Sequence, residues 1–103
     1  TGIDVLLARQ GLSAQDLDEI IIAGAFGTFL DVHSAVAIGM LPSVQEDKVH
    51  QVGNAAGVGA RQILISRMKR RQAGELAARV EYVELAGSQE FMSFYANALW
   101  LGR

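Results

Sequence analysis

Hydrophobic positions along this chain alternate between helical stripes and short continuous runs. Ile3, Leu6 and Leu7 share one stripe within residues 2–10, which predicts a helix, and Gly11 stands where a left-handed C-cap belongs. Ser13 is placed to cap a short turn through Leu17, with Asp16 in its first turn. Residues 19–23 (EIIIA) form a continuous β-branched run, the mark of a strand covered on both faces. Asp31 is the expected N-cap of a helix from Val32 to about Met40, which Pro42 bars from continuing. A second strand is expected over 48–52, then a helix over 55–65 with Val58, Ile63 and Leu64 toward a sheet. Ser66 breaks that helix and starts another to Arg79, with Met68, Leu76, Ala77 and Val80 on its buried side. Residues 81–85 (EYVEL) alternate like a third strand with one wet face. Ser88 then caps a last helix carrying Phe91, Phe94, Tyr95, Ala98 and Leu99.

Strands separated by helices point to an α/β fold with right-handed crossovers, a three-layer arrangement in which helices flank a small, mostly parallel sheet. Three strands make a thin sheet, better understood as half of a larger one. Composition sharpens this. The apolar set alone reaches 50% and 11 glycines come on top, whereas typical soluble domains reach about 45–50% with glycine included. Such a surplus in a single domain over residues 1–103 implies a face that something else covers, either further polypeptide or a second copy in a homodimer.

The same composition narrows the chemistry. The longest apolar runs, such as Ile20 to Ala23, are far short of the roughly 20 residues a bilayer span needs, so no membrane role is expected. The chain has no cysteine, hence no thiolate nucleophile and no cysteine-held zinc or cluster. His33 and His50 do not form a metal-ligand spacing, so no metal site is expected, and no residue set reads as catalytic. A cysteine-free chain fits the cytoplasm. Positive charge gathers at Arg67, Lys69, Arg70 and Arg71, but no aromatics interleave with it; it reads as a solvated helix face and not a nucleic-acid surface.

In open parallel sheets, ligands bind at the carboxyl ends of strands, where loops enter helices. Two glycine-rich turns fall there. The first, Ala23-Gly24-Ala25-Phe26-Gly27, leaves backbone uncovered after a strand, so a base, ribose or phosphate can lie against it. The second, Gly53-Asn54-Ala55-Ala56-Gly57, opens a helix whose N-terminus offers free N–H groups. Neither is a dinucleotide fingerprint or a P-loop. Small residues also allow helices to pack closely on strands, Asn54 also suits a helix cap, and Phe26 and Phe29 also suit core plugs. The candidate nucleotide contacts are Ala23, Gly24, Ala25, Phe26, Gly27, Gly53, Asn54 and Gly57.

Taken together, IIIAGAFGTFLD, AVAIGMLP, VGNAAGVGAR and VEYVEL resemble, along nearly the whole chain, the C-terminal actin-like ATPase domain of the reductive activators of corrinoid proteins. That family is similar, more distantly, to the sugar kinase, Hsp70 and actin superfamily, in which a strand ending in small residues forms the adenosine-binding turn. The resemblance implies the C-terminal half of an actin-like domain in a protein with a [2Fe–2S] ferredoxin-like domain elsewhere. It implies ATP, with Mg²⁺ in the parent protein, used to help return a Co(II) corrinoid partner to Co(I) for methyl transfer in one-carbon metabolism. Two features depart from the superfamily pattern. Gly24 is flanked by Ala23 and Ala25 where adjacent glycines are common, and the chain lacks a phosphate hairpin and an acidic strand end for Mg²⁺. A piece holding only the adenosine side should bind nucleotide weakly and hydrolyse none. The competing expectations are a non-catalytic docking or dimerisation module, and the same fold in a sugar kinase or a 2-hydroxyacyl-CoA dehydratase activator.

Overall fold

The computed structural model describes residues 1–100, in the order α1 (Gly2–Gln10), β1 (Ile20–Ala23), α2 (Val32–Ala37), β2 (Val49–Gly53), α3 (Ala55–Ile65), α4 (Arg67–Ala77) and α5 (Gln89–Ala98). Short 3₁₀ turns cover Ala14–Asp16, Phe26–Phe29 and Glu46–Lys48. β1 and β2 pair in a two-stranded parallel sheet. The chain divides into two compact units, and it crosses from the first to the second within each strand, after Ile21 and after His50.

The first unit holds α1, α2 and α5. α1 ends as its sequence demands: Gly11 takes φ 66°, its N–H reaches Ala8 O, and Leu12 N–H reaches Leu7 O at 2.9 Å. These bonds satisfy carbonyls the helix leaves open. α1 packs on α5, and Arg9 Nε meets Glu90 Oε2 at 3.1 Å, a cation at one helix's C-terminal end against an anion at the other's N-terminal end. Val5 on α1 and Ala35 on α2 are the unit's buried apolar side chains among the described residues. α2 begins where expected, with Asp31 accepting from Ser34 N at 2.8 Å. It ends at Ala37, three residues short of Met40. Gly39, at φ 75°, turns the chain out, with Gly39 N–H on Val36 O and Met40 N–H on Ala35 O. A glycine C-cap therefore stops this helix before Pro42 can. Lys48 Nζ donates to Leu17 O at 2.7 Å, holding the entry to β2 against the segment that precedes β1.

The second unit contains the two glycine-rich turns and the α3–α4 pair. Ser66 alone separates the two helices. It adopts extended geometry, donates to Gln62 O and accepts from Lys69 N at 3.2 Å. Arg70 folds back on α3, with its guanidinium on Ile63 O and Leu64 O at 3.1 and 3.2 Å. One member of the basic cluster is thus a helix cap. Arg71 pairs with Glu75 one turn on.

Three expectations are corrected. Residues 81–85 form no strand. Val83 and Leu85 are half-buried between exposed neighbours, so the alternation is real, but a strand also needs a ladder partner, which an alternating pattern cannot specify. β1 is not covered on both faces, since Ile21 is 61% exposed. The intended buried faces of α3 and α4 are largely open, including Val58, Leu64, Met68 and Leu76, and α4 ends at Ala77, short of Arg79, leaving Val80 beyond it and exposed. A two-stranded sheet is too narrow to cover helices whose apolar stripes were made for a wider surface.

Candidate functional site

All eight candidate contacts lie in the second unit. β1 ends at Ala23, and Gly24 follows at φ 106°, a conformation that only glycine adopts without strain. Its N–H donates to Gly53 O at 2.6 Å, so the two glycine-rich turns are joined directly by backbone. Gly53 itself sits at φ 61°. Gln51 extends the seam: its Nε2 donates to Gly27 O. The Oγ1 of Thr28 lies 3.8 Å from where a Cβ on Gly53 would stand. Neither Gln51 nor Thr28 stands out in the sequence, because each acts across a non-local pairing.

The glycines differ in what they do. A Cβ on Gly24 would meet nothing within 4 Å, so this position presents open backbone. A Cβ on Gly27 would fall 2.5 Å from Ile22 Cγ2. Gly27 is buried, and its lack of a side chain lets the 3₁₀ turn close on β1. At Gly57 a Cβ would fall 2.5 Å from Asn54 Nδ2. Asn54 Oδ1 accepts from Gly57 N at 2.9 Å, making Asn54 the N-cap of α3. That leaves its Nδ2 without a hydrogen-bond partner among the described residues, beside the helix N-terminus.

Phe26 and Phe29 are not core plugs: they are 94% and 87% exposed. With Gly27 against Ile22 and Thr28 toward Gly53, the remaining face of the 3₁₀ turn carries both rings outward. Neither turn contains a charged residue; the first to follow them in sequence are Asp31 and Arg61. The surface therefore offers backbone groups, a hydroxyl, an amide and two aromatic rings. It suits a flat, neutral, hydroxyl-bearing group such as a nucleoside. It has no cation for phosphate oxygens and no carboxylate for Mg²⁺, and the chain supplies no cysteine ligand for an iron–sulfur cluster. No group of His, Cys, Asp or Glu able to hold a metal gathers among the described residues, and no helix among them is long and apolar enough to cross a membrane.

The family described as the C-terminal domain of RACo, the ASKHA domain, matches residues 1–103. The chain belongs to this family. It is 38% identical over 95 residues to the corrinoid activation enzyme RamQ of Eubacterium limosum, covering 92% of this chain and 16% of that protein. It is 26% identical over 92 residues to the [Co(II) methylated amine-specific corrinoid protein] reductase of Methanosarcina barkeri, covering 87% of this chain and 17% of that protein. Among solved structures, a reductive activator for corrinoid, iron-sulfur protein superposes with a TM-score of 0.87 at 35% identity, over 97% of this chain and 16% of that one. The chain thus spans about one sixth of the length of these relatives. The actin-like fold that the resemblance implied is the fold of this ASKHA domain.

Proposed function

We propose that this ASKHA domain is the nucleoside-contacting part of an ATP-dependent reductive activator, one that returns a Co(II) corrinoid protein to Co(I) for methyl transfer. The observation that carries the nucleotide reading is the Gly24 N–H to Gly53 O bond, which fuses two glycine-rich strand-end turns into one uncharged, open surface. The three relatives, two corrinoid activators and a Co(II) corrinoid protein reductase, support the reaction class. In this reading Ala23, Gly24, Ala25 and Phe26 meet the base and ribose. Gly53 and Asn54 line the adjoining wall, and Gly27 and Gly57 keep the turn and the cap in shape. ATP supplies binding energy and phosphate chemistry when bound. Mg²⁺ and a [2Fe–2S] cluster belong to other parts of the protein, since neither turn carries a carboxylate and the chain has no cysteine. The corrinoid protein and the remainder of the parent polypeptide are the partners, in the cytoplasm, with no role for nucleic acid or membrane. Held to the nucleoside alone, the domain positions ATP but does not hydrolyse it.

The test follows backbone amides by NMR as ATP is added. Shifts centred on Gly24, Phe26 and Asn54 are expected; shifts confined to residues outside both turns would sink the reading. Gly24→Val in the full-length protein, measured where the variant is still folded, is expected to weaken ATP binding; the strain of valine at φ 106° lowers the melting temperature in addition. A second reading has its own observation, the exposed apolar residues of α3 and α4: a docking or homodimer face. Sedimentation that shows concentration-dependent dimers abolished by Leu64→Lys, with ATP binding absent, would favour it.

A further inference from the structure

Phe26 and Phe29 open and close a 3₁₀ turn of four residues. In a 3₁₀ helix residues three apart eclipse, with a rise of about 2.0 Å per residue, so the two side chains leave the same face about 6 Å apart. Stacked bases lie about 3.4 Å apart, so a planar ring held between two others needs close to that spacing doubled. The two phenyl rings make no ring contact with each other, although Phe91 and Tyr95 elsewhere do. Both are almost wholly exposed. Between them in the turn stand only Gly27 and Thr28, so no bulky side chain fills the space between the two rings from within the turn. The next face of the turn carries the Thr28 hydroxyl beside Gly53, and Asn54 adds a free amide donor. The second unit therefore places two exposed rings, at about the spacing a flat ring between them needs, next to donors for the polar groups attached to it.

We propose that Phe26 and Phe29 clamp the purine base of the nucleotide between their rings, with Thr28 positioning the attached ribose. This rests on the nucleotide reading above and adds to it a residue-level account of base recognition. No cation takes part, so the clamp holds adenosine as well as ATP and is indifferent to phosphate.

The experiment titrates full-length protein with ATP, adenosine and inorganic tripolyphosphate by calorimetry, comparing wild type with Phe26→Leu, Phe29→Leu, Phe29→Tyr, Thr28→Val and Gly24→Val. Each leucine variant keeps apolar volume but loses the π face. It is expected to weaken ATP and adenosine binding roughly five- to a hundredfold and leave tripolyphosphate binding and the melting temperature unchanged. Phe29→Tyr, which keeps the ring, retains wild-type affinity. If Gly24→Val weakens ATP binding while both leucine variants bind normally, the clamp is discarded and the nucleotide reading stands. If wild type binds no nucleotide, both fall. A leucine variant that melts earlier, or that loses tripolyphosphate in step with ATP, also overturns the clamp, because its ring is then covered by protein or its effect is not on the base.

Discussion

Gly27 offers a sharp test of what holds the first glycine-rich turn. It is buried and does not require positive φ, so alanine meets no backbone penalty there. By itself that exchange stabilises a protein by about 0.4–1 kcal/mol, through the smaller entropy of the unfolded chain. The obstacle is one atom: the new Cβ falls 2.5 Å from Ile22 Cγ2, while Ile22 Cβ and O stand at an ordinary 3.6 Å. Cγ2 is a β-branch methyl that cannot swing away without changing χ1 or moving β1, and overpacking of this kind costs about 1–3 kcal/mol. Gly27→Ala in the wild-type background should therefore destabilise by about 0.5–2 kcal/mol, a melting shift of about 4–8 °C per kcal/mol for a domain near this size. Ile22→Ala removes Cγ2. In that background Gly27→Ala should become neutral or stabilising, so the sign of the effect reverses. Urea unfolding of the four chains, followed by far-UV circular dichroism, gives the coupling directly. A coupling below about 0.5 kcal/mol, with Gly27→Ala equally harmful in both backgrounds, would refute the steric account. Gly27 would then serve the turn by some route other than closure on β1.

Asn54→Ala removes the α3 cap and should cost about 1 kcal/mol, with faster hydrogen exchange at the Gly57 amide; unchanged exchange there would mean the cap is idle. Arg70→Gln frees the Ile63 and Leu64 carbonyls and should lower stability by about 1 kcal/mol without changing ATP affinity, whereas Arg71→Gln does little to either; a drop in affinity would give the basic helix a functional role. His33 Nδ1 lies 2.8 Å from Glu46 Oε1, and that hydrogen bond, reinforced by the Glu46 charge, raises the His33 pKa. A raised histidine pKa contributes stability that is fully present below the unfolded value, about 6.5, and is lost as pH rises through the folded value. Melting temperature compared between wild type and Glu46→Gln should show a wild-type advantage at pH 5.5–6 that fades by pH 8; an advantage independent of pH would exclude protonation as its source.

Local structure was legible because its causes are local. Asp31, Asn54, Ser66 and Ser88 each accept from a backbone N–H three residues on, and Gly11 ends α1 by φ alone. These bonds depend on a few consecutive residues, so α3 begins and ends where Asn54 and Ser66 put it. At Ala14–Asp16 the turn is also where it was expected, although the carboxylate does the capping: Asp16 Oδ2 accepts from both Ser13 N and Ser13 Oγ. α2 was misjudged by three residues because two stop signals, Gly39 and Pro42, stood close together and the nearer one acted first.

What remained hidden was everything set by pairing across the chain. EYVEL has the alternation of a strand, yet alternation specifies only which side is wet, not whether a neighbour exists to complete the ladder. The same limit applies to the site. The sequence by itself marked the two turns as the place where ligand chemistry would sit, from glycines at strand ends. Only the tertiary structure joined them through Gly24 and Gly53, separated Gly27 as a packing residue from Gly24 as open backbone, and turned Phe26 and Phe29 outward. An aromatic residue's burial and a glycine's purpose depend on which distant atoms arrive beside it, and those are fixed by strand pairing and helix packing rather than by neighbours in sequence.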